Sequence, residues 1–205
     1  MADSDGQDAQ PHLTLWVKNT DAMTASMEAP TDAEIIERLR MADQEAMEMG
    51  RRVGPGNWAN ISAMALAFYA LKTEDPEAVV SENLERVGLI VKHYGPTRSG
   101  WGDSPASDEA SAMQTDSDVR IHLLMQAQDY LESLVDGYFQ SFGPGREAEA
   151  VAGIGNHINV GTAAACMRFT DPQDALRRCG ETAEWAVAFV REQCEFVDRG
   201  ECMQP

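Results

Sequence analysis

Lysine is nearly missing from this chain of 205 residues: Lys18, Lys72 and Lys92 are the only ones, and the other basic residues are arginines. Acids outnumber bases by 34 to 16, for a formal net charge of −18 and an isoelectric point near 4.4. Such a surface repels phosphate backbones, so direct nucleic-acid binding by a broad face is not expected. Protein partners with basic surfaces, or self-association, are favoured instead. An acid-rich, lysine-poor surface also suits high salt, where self-repulsion is screened, and the arginine bias fits GC-rich coding equally well. Long apolar runs are absent too. No stretch of about 18 apolar residues occurs, so no membrane span is expected. The start, "MADSDGQDAQPH", has neither the basic n-region nor the apolar h-region of a secretory signal. The expected setting is the cytoplasm, or the inside of a virus particle.

Cysteine is sparse and confined to Cys166, Cys179, Cys194 and Cys202, with no CxxC pair. Zinc-ribbon and thioredoxin-type readings therefore lack support. Cys179 and Cys194 on one helix would stand about 22 Å apart, too far to bridge. Cys166 with Cys179, or Cys194 with Cys202, could pair in an oxidising compartment. The plainer expectation makes Cys166, Cys179 and Cys194 small core residues. Catalytic motifs are missing as well: there is no HExxH, no phosphate loop, no GxSxG and no GxGxxG after a strand. None of His93, His122 and His157 follows a Glu by three positions, so the Glu-x-x-His ligand pair of di-iron bundles is not available.

What the chain does have is helical periodicity. Residues 1–30 form an acidic polar arm, broken by the apolar island "HLTLWV" (His12 to Val17), which could be a short strand at Leu13 to Val17 or an anchor on a partner. Residues 31–95 read as three helices. Acids crowd the start of the first and arginines its end, and "GPG" at Gly54 to Gly56 breaks the chain. Asn57 is placed as the N-cap of the second helix, with Ile61, Met64, Ala65, Phe68 and Leu71 at helical spacing. Asp75 caps a third helix that opens on Pro76 and carries Val80, Leu84, Val87, Val91 and Tyr94 as one stripe. Residues 96–116 are an acidic Gly/Ser/Pro loop, long for a compact domain.

Residues 117–197 then repeat the programme, and 198–205 form a tail. "LRMADQEAME" resembles "LLMQAQDYLE", a second "GPG" stands at Gly143 to Gly145, and "GNHINVGTAAACMRFTDP" parallels "GNWANISAMALAFYALKTEDP". Asn57, Asn60 and Ile61 match Asn156, Asn159 and Val160, and Asp75-Pro76 matches Asp171-Pro172. On this alignment "REAEAVAGIG" is an insertion ahead of the second copy's central helix. The expected fold is an all-α bundle made of two tandem copies of a three-helix unit, with a polar N-terminal arm. Alanines 63, 65, 67, 70 and 163–165 predict that the two central helices pack closely on each other across a pseudo-twofold axis. Trp58, Ile61, Ser62 and Ala65 fit the front of a tetratricopeptide-like pattern, but the insertions before Ala78 and Ala175 break the rest, and the family is not claimed.

Three chemical signals are present. Arg86-x6-His93 has the spacing of the motif in HEPN ribonucleases, where His moves protons and Arg steadies phosphate, although Val87 replaces the polar residue usual beside the Arg. Glu34 with Glu37, Glu45 with Glu48, and Asp129 with Glu132 and Asp136 share helix faces as Mg²⁺ ligands would, and as ordinary solvated faces do. Asn60 and Asn159 flank the apolar faces of the central helices, where they are expected to hydrogen-bond across the symmetric contact and fix register. No cofactor is implied. The leading expectation is a non-catalytic interaction or assembly subunit of a multiprotein complex, with Trp16, Trp101, Asn60 and Asn159 as candidate contact residues. An acidic DNA-mimic inhibitor is the alternative, and a metal-dependent nucleotide hydrolase or HEPN-like nuclease the third.

Overall fold

A computed structural model describes residues 31–95 and 117–198. The arm, the 96–116 loop and the tail, with Trp16, Trp101, Cys202 and the strand expected at Leu13 to Val17, lie outside the described residues. Within them the chain is all helix, with no strand: α1 (Asp32–Val53), α2 (Pro55–Ala70), α3 (Pro76–Tyr94), α4 (Ser117–Phe142), α5 (Glu147–Met167) and α6 (Pro172–Asp198). None of these helices is long and apolar enough to cross a membrane.

Local chemistry sets the helix ends. Thr31 and Glu34 form a reciprocal capping box at the start of α1. Gly54, at φ 92°, turns the chain so sharply that α2 begins at the next residue, with Pro55 in its first turn. Asn57 is therefore not a cap. It sits inside α2, and its side-chain Nδ2 donates to the Val53 carbonyl at 2.7 Å, satisfying an otherwise open acceptor at the end of α1. Asp75 caps α3 as expected, accepting from the Ala78 N–H at 3.1 Å. Asp171 does the same for α6, taking the N–H groups of Gln173 and Asp174 at 3.0 Å. The second half departs from expectation at α5. That helix starts at Glu147, so "REAEAVAGIG" is its opening turns rather than an insertion before it, and Asn156 is an exposed mid-helix residue. Gly143 and Gly145, both at positive φ, complete the turn early enough for the helix to begin there.

The second and fifth helices make the core. Thirteen of the 16 residues of α2 are buried, so it is apolar nearly all round and must be surrounded. It contacts all five other helices, and so does α5. Exchanging the first three helices for the last three maps α1 with α5 onto α4 with α2, and α3 with α5 onto α6 with α2, while α2 with α5 and α3 with α6 map onto themselves. The expected alanines are all essentially inaccessible, while Leu66 and Tyr69 of α2 pack with Val151, Ile154 and Ile158 of α5. Ser62 Oγ and Thr162 Oγ1 meet 3.0 Å apart at the crossing. Tyr69 lies over Gly155 further along, which makes the two helices antiparallel. Cys166 and Cys179 are core residues, with free sulfurs 3.7 Å apart. Their mutual hydrogen bond and then burial push the Cys166 thiol well above its usual range. Cys194 departs from expectation: it is exposed, because it lies past the last buried turn of α6.

Candidate functional site

On the bundle surface α4 and α6 leave a groove of about 450 Å³. Phe68 from α2, Leu124 from α4 and Phe189 with Val190 from α6 form its apolar body. Ile121, Met125 and Gln128 border it on α4, and Gln193 and Cys194 on α6. The helical period explains this wall. Leu123, Ala127 and Leu131 form the row of α4 that enters the core, whereas Ile121, Met125 and Gln128 form a second row, at i, i+4 and i+7, rotated away from it. Met125 is 64% exposed and Ile121 39%. Next to the groove, the Arg120 guanidinium lies 5.2 Å from the centre of the Trp185 ring, a cation–π contact that ties α4 to α6. The groove can take apolar side chains, and it offers polar partners only at its rim.

A second cluster lies where α1, α4 and α5 meet. Tyr138 Oη stands 3.3 Å from His157 Nδ1, and His157 Nε2 stands 3.4 Å from Glu45 Oε2. Tyr130, two turns before Tyr138 on α4, meets the Trp58 ring edge-on at 5.1 Å. Gly153 lets the Tyr138 ring lie against the α5 backbone, where a Cβ would collide with it. Burial pushes the Tyr130 hydroxyl far above its usual range, and the neighbouring Glu45 charge pushes it further. Burial also raises Tyr138, against the opposing pull of Arg38. Both side chains are therefore held as neutral phenols at neutral pH. The arrangement knits three helices together.

Asn60 and Asn159 are buried, and each bonds across the two halves, though not to the other. Asn60 Oδ1 accepts from Thr182 Oγ1 of α6 at 3.0 Å. Asn159 Nδ2 donates to Asn83 Oδ1 of α3 at 2.7 Å, while Asn83 Nδ2 donates to the Val79 carbonyl. Each central-helix asparagine thus reaches the third helix of the opposite half. Trp16 and Trp101 lie outside the described residues. Arg86 and His93 are exposed along α3. The carboxylate pairs are dispersed: Glu34 is in its capping box, Glu48 pairs with Arg52 at 3.2 Å, Glu45 faces His157, and Asp129, Glu132 and Asp136 are exposed on α4. Among the described residues no group of three or more His, Cys, Asp or Glu is placed to hold a metal ion. Sequence reasoning singled out neither the groove nor the Glu45–His157–Tyr138 cluster. The Ile121/Met125 row beside the core row was the one signal for the first, and the eight-residue spacing of Tyr130 and Tyr138 for the second.

No family model matches this chain, and no curated protein or solved structure is significantly similar to it.

Proposed function

We propose that the chain is a non-catalytic helical subunit that binds a protein partner, or assembles, through the groove between α4 and α6. The observation that carries this is the exposed Ile121/Met125 row facing Phe189 and Val190 across an apolar cleft. Large apolar side chains grouped around a depression, rather than scattered singly, mark an interaction surface. The charge pattern favours this over nucleic-acid mimicry, which needs unbroken rows of carboxylates. Glu48 is paired with Arg52, Asp174 with Arg177 and Arg178, Glu181 with Arg177, and Glu77 with Arg191. Acids interspersed with arginines in this way support a role in keeping the surface hydrated. We further infer that the halves arose by duplication, which the interchangeable helix pairings support. The setting we infer is a multiprotein complex in the cytoplasm or a virus particle. The test is Met125→Asp in the full chain, with native complexes recovered and cross-links from the α4 face mapped. Loss of the cross-linked partner at unchanged melting temperature is expected. Undiminished cross-linking would sink the groove as the docking surface.

A further inference from the structure

The groove has one apolar segment of this same chain within reach. Among residues 1–30 the only cluster of large apolar side chains is "HLTLWV", with Leu13, Leu15, Trp16 and Val17 inside five positions. Val17 lies fourteen residues before Thr31, where α1 begins. Fourteen residues reach at most about 50 Å. A bundle of this size has a radius of gyration of about 15 Å, so the extended tether is longer than the bundle is wide and reaches most of its surface. The rest of the chain outside the bundle offers no equal candidate: residues 96–116 carry Trp101 and Met113 singly among polar residues, and residues 199–205 carry only Met203 among their large apolar side chains. An apolar groove with a rim of Gln128 and Gln193 suits a short peptide that buries alternate side chains and leaves its polar atoms at the edge. A covalent tether of this length supplies such a peptide at an effective concentration of order mM, ahead of any free competitor of equal affinity.

We propose that residues 12–17 occupy the α4/α6 groove of their own chain, as an internal ligand that a partner must displace. This rests on the groove being a docking surface. The arm thereby lowers the apparent affinity of any partner for the groove and shields Ile121 and Met125 from non-specific contacts.

Cys194 on the groove rim reports occupancy directly, because Cys166 and Cys179 are buried. In the full chain carrying Cys202→Ser, alkylation of Cys194 by iodoacetamide is compared with the same chain carrying Leu15→Asp and Trp16→Asp, and with one lacking residues 1–28. Slower labelling of the intact arm, by about tenfold and independent of protein concentration, is the expected result for a tethered ligand. Equal rates in all three chains overturn the proposal. Protection that grows with protein concentration also overturns it, since the occupant is then a second copy. Met125→Asp provides the separate control, with its helicity checked by circular dichroism. It should abolish the protection if the arm sits in the groove, and protection that survives it places the arm elsewhere. A partner cross-link lost in Met125→Asp, with Cys194 equally reactive in all arm variants, would leave the docking surface standing and refute only its internal ligand.

Discussion

Two glycine-to-alanine substitutions should move stability in opposite directions, and the difference tests how closely the central helices approach. Replacing a glycine inside a helix by alanine gains roughly 0.5–1 kcal/mol, because the unfolded backbone loses freedom and the helix is favoured. At Gly137, in α4, nothing lies within 4 Å of where the new Cβ would sit, so the whole gain should appear. At Gly155, in α5, the Cβ would stand 2.8 Å from the Tyr69 hydroxyl and 3.1 Å from its ring carbon. That ring cannot swing away freely. Tyr69 is only 7% exposed and packs with Leu66, Leu131, Val151, Ile154 and Ile158. Overpacking of a closed core costs about 1–3 kcal/mol, which exceeds the propensity gain. Gly155→Ala should therefore lose roughly 1 kcal/mol net, and Gly137→Ala should gain up to that amount. In a chain of this length each kcal/mol moves the midpoint by about 2–4 °C. Thermal melting followed by ellipticity, with urea titration to check that the m-value holds, measures both. Tyr69→Phe removes the nearer of the two contacts, so the Gly155→Ala/Tyr69→Phe pair should be less damaging than the sum of its parts, by about 0.5 kcal/mol or more. A Gly155→Ala chain that melts above the parent would mean that Tyr69 does not lie on the α5 backbone, and the antiparallel contact of α2 and α5 would have to be redrawn.

Ala65→Leu or Ala164→Leu, each at a position with no exposure, should cost about 1–3 kcal/mol in the same melts; an unchanged midpoint would put that alanine outside the tight contact. Asp75→Ala removes the α3 cap and should cost about 1 kcal/mol, visible as a proportional drop in the urea midpoint. Asp43 and Arg168 form an ion pair at 2.8 Å with both side chains only 12% exposed. Asp43→Ala breaks this largely buried pair and should cost clearly more than Glu48→Ala, whose exposed pair with Arg52 is worth about 0–1 kcal/mol; equal costs would contradict that burial. Residues 31–95 and 117–198 made as separate peptides should each show little helix, because α2 and α5 lose the surfaces that bury them. Helicity should return on mixing, and a half that folds alone as a monomer would refute the shared core.

The helices were legible in the sequence because their determinants are local. Asp75-Pro76 and Asp171-Pro172 cap and start α3 and α6 through side chains a few residues from the groups they satisfy. The Val80–Tyr94 stripe is a periodicity within one helix, and the doubled order of motifs announced six helices with two apolar ones at the centre. Locality also explains the errors. "GN" reads as a helix start at Asn57 and Asn156, yet Gly54 starts α2 two residues before Asn57, and α5 runs straight through Gly153 and Gly155. Only the tertiary structure could decide that second case, since a mid-helix glycine becomes favourable when the Tyr138 or Tyr69 ring from another helix occupies the space of a Cβ. The partners of Asn60 and Asn159, more than seventy residues away, depend on how the halves cross, and no pattern along the chain encodes that. The groove has the same origin: Ile121 and Met125 are ordinary apolar residues of a helix until α6 and Phe68 are set beside them. Burial, close approach and concavity belong to pairs of elements, so they exist only once the helices are packed.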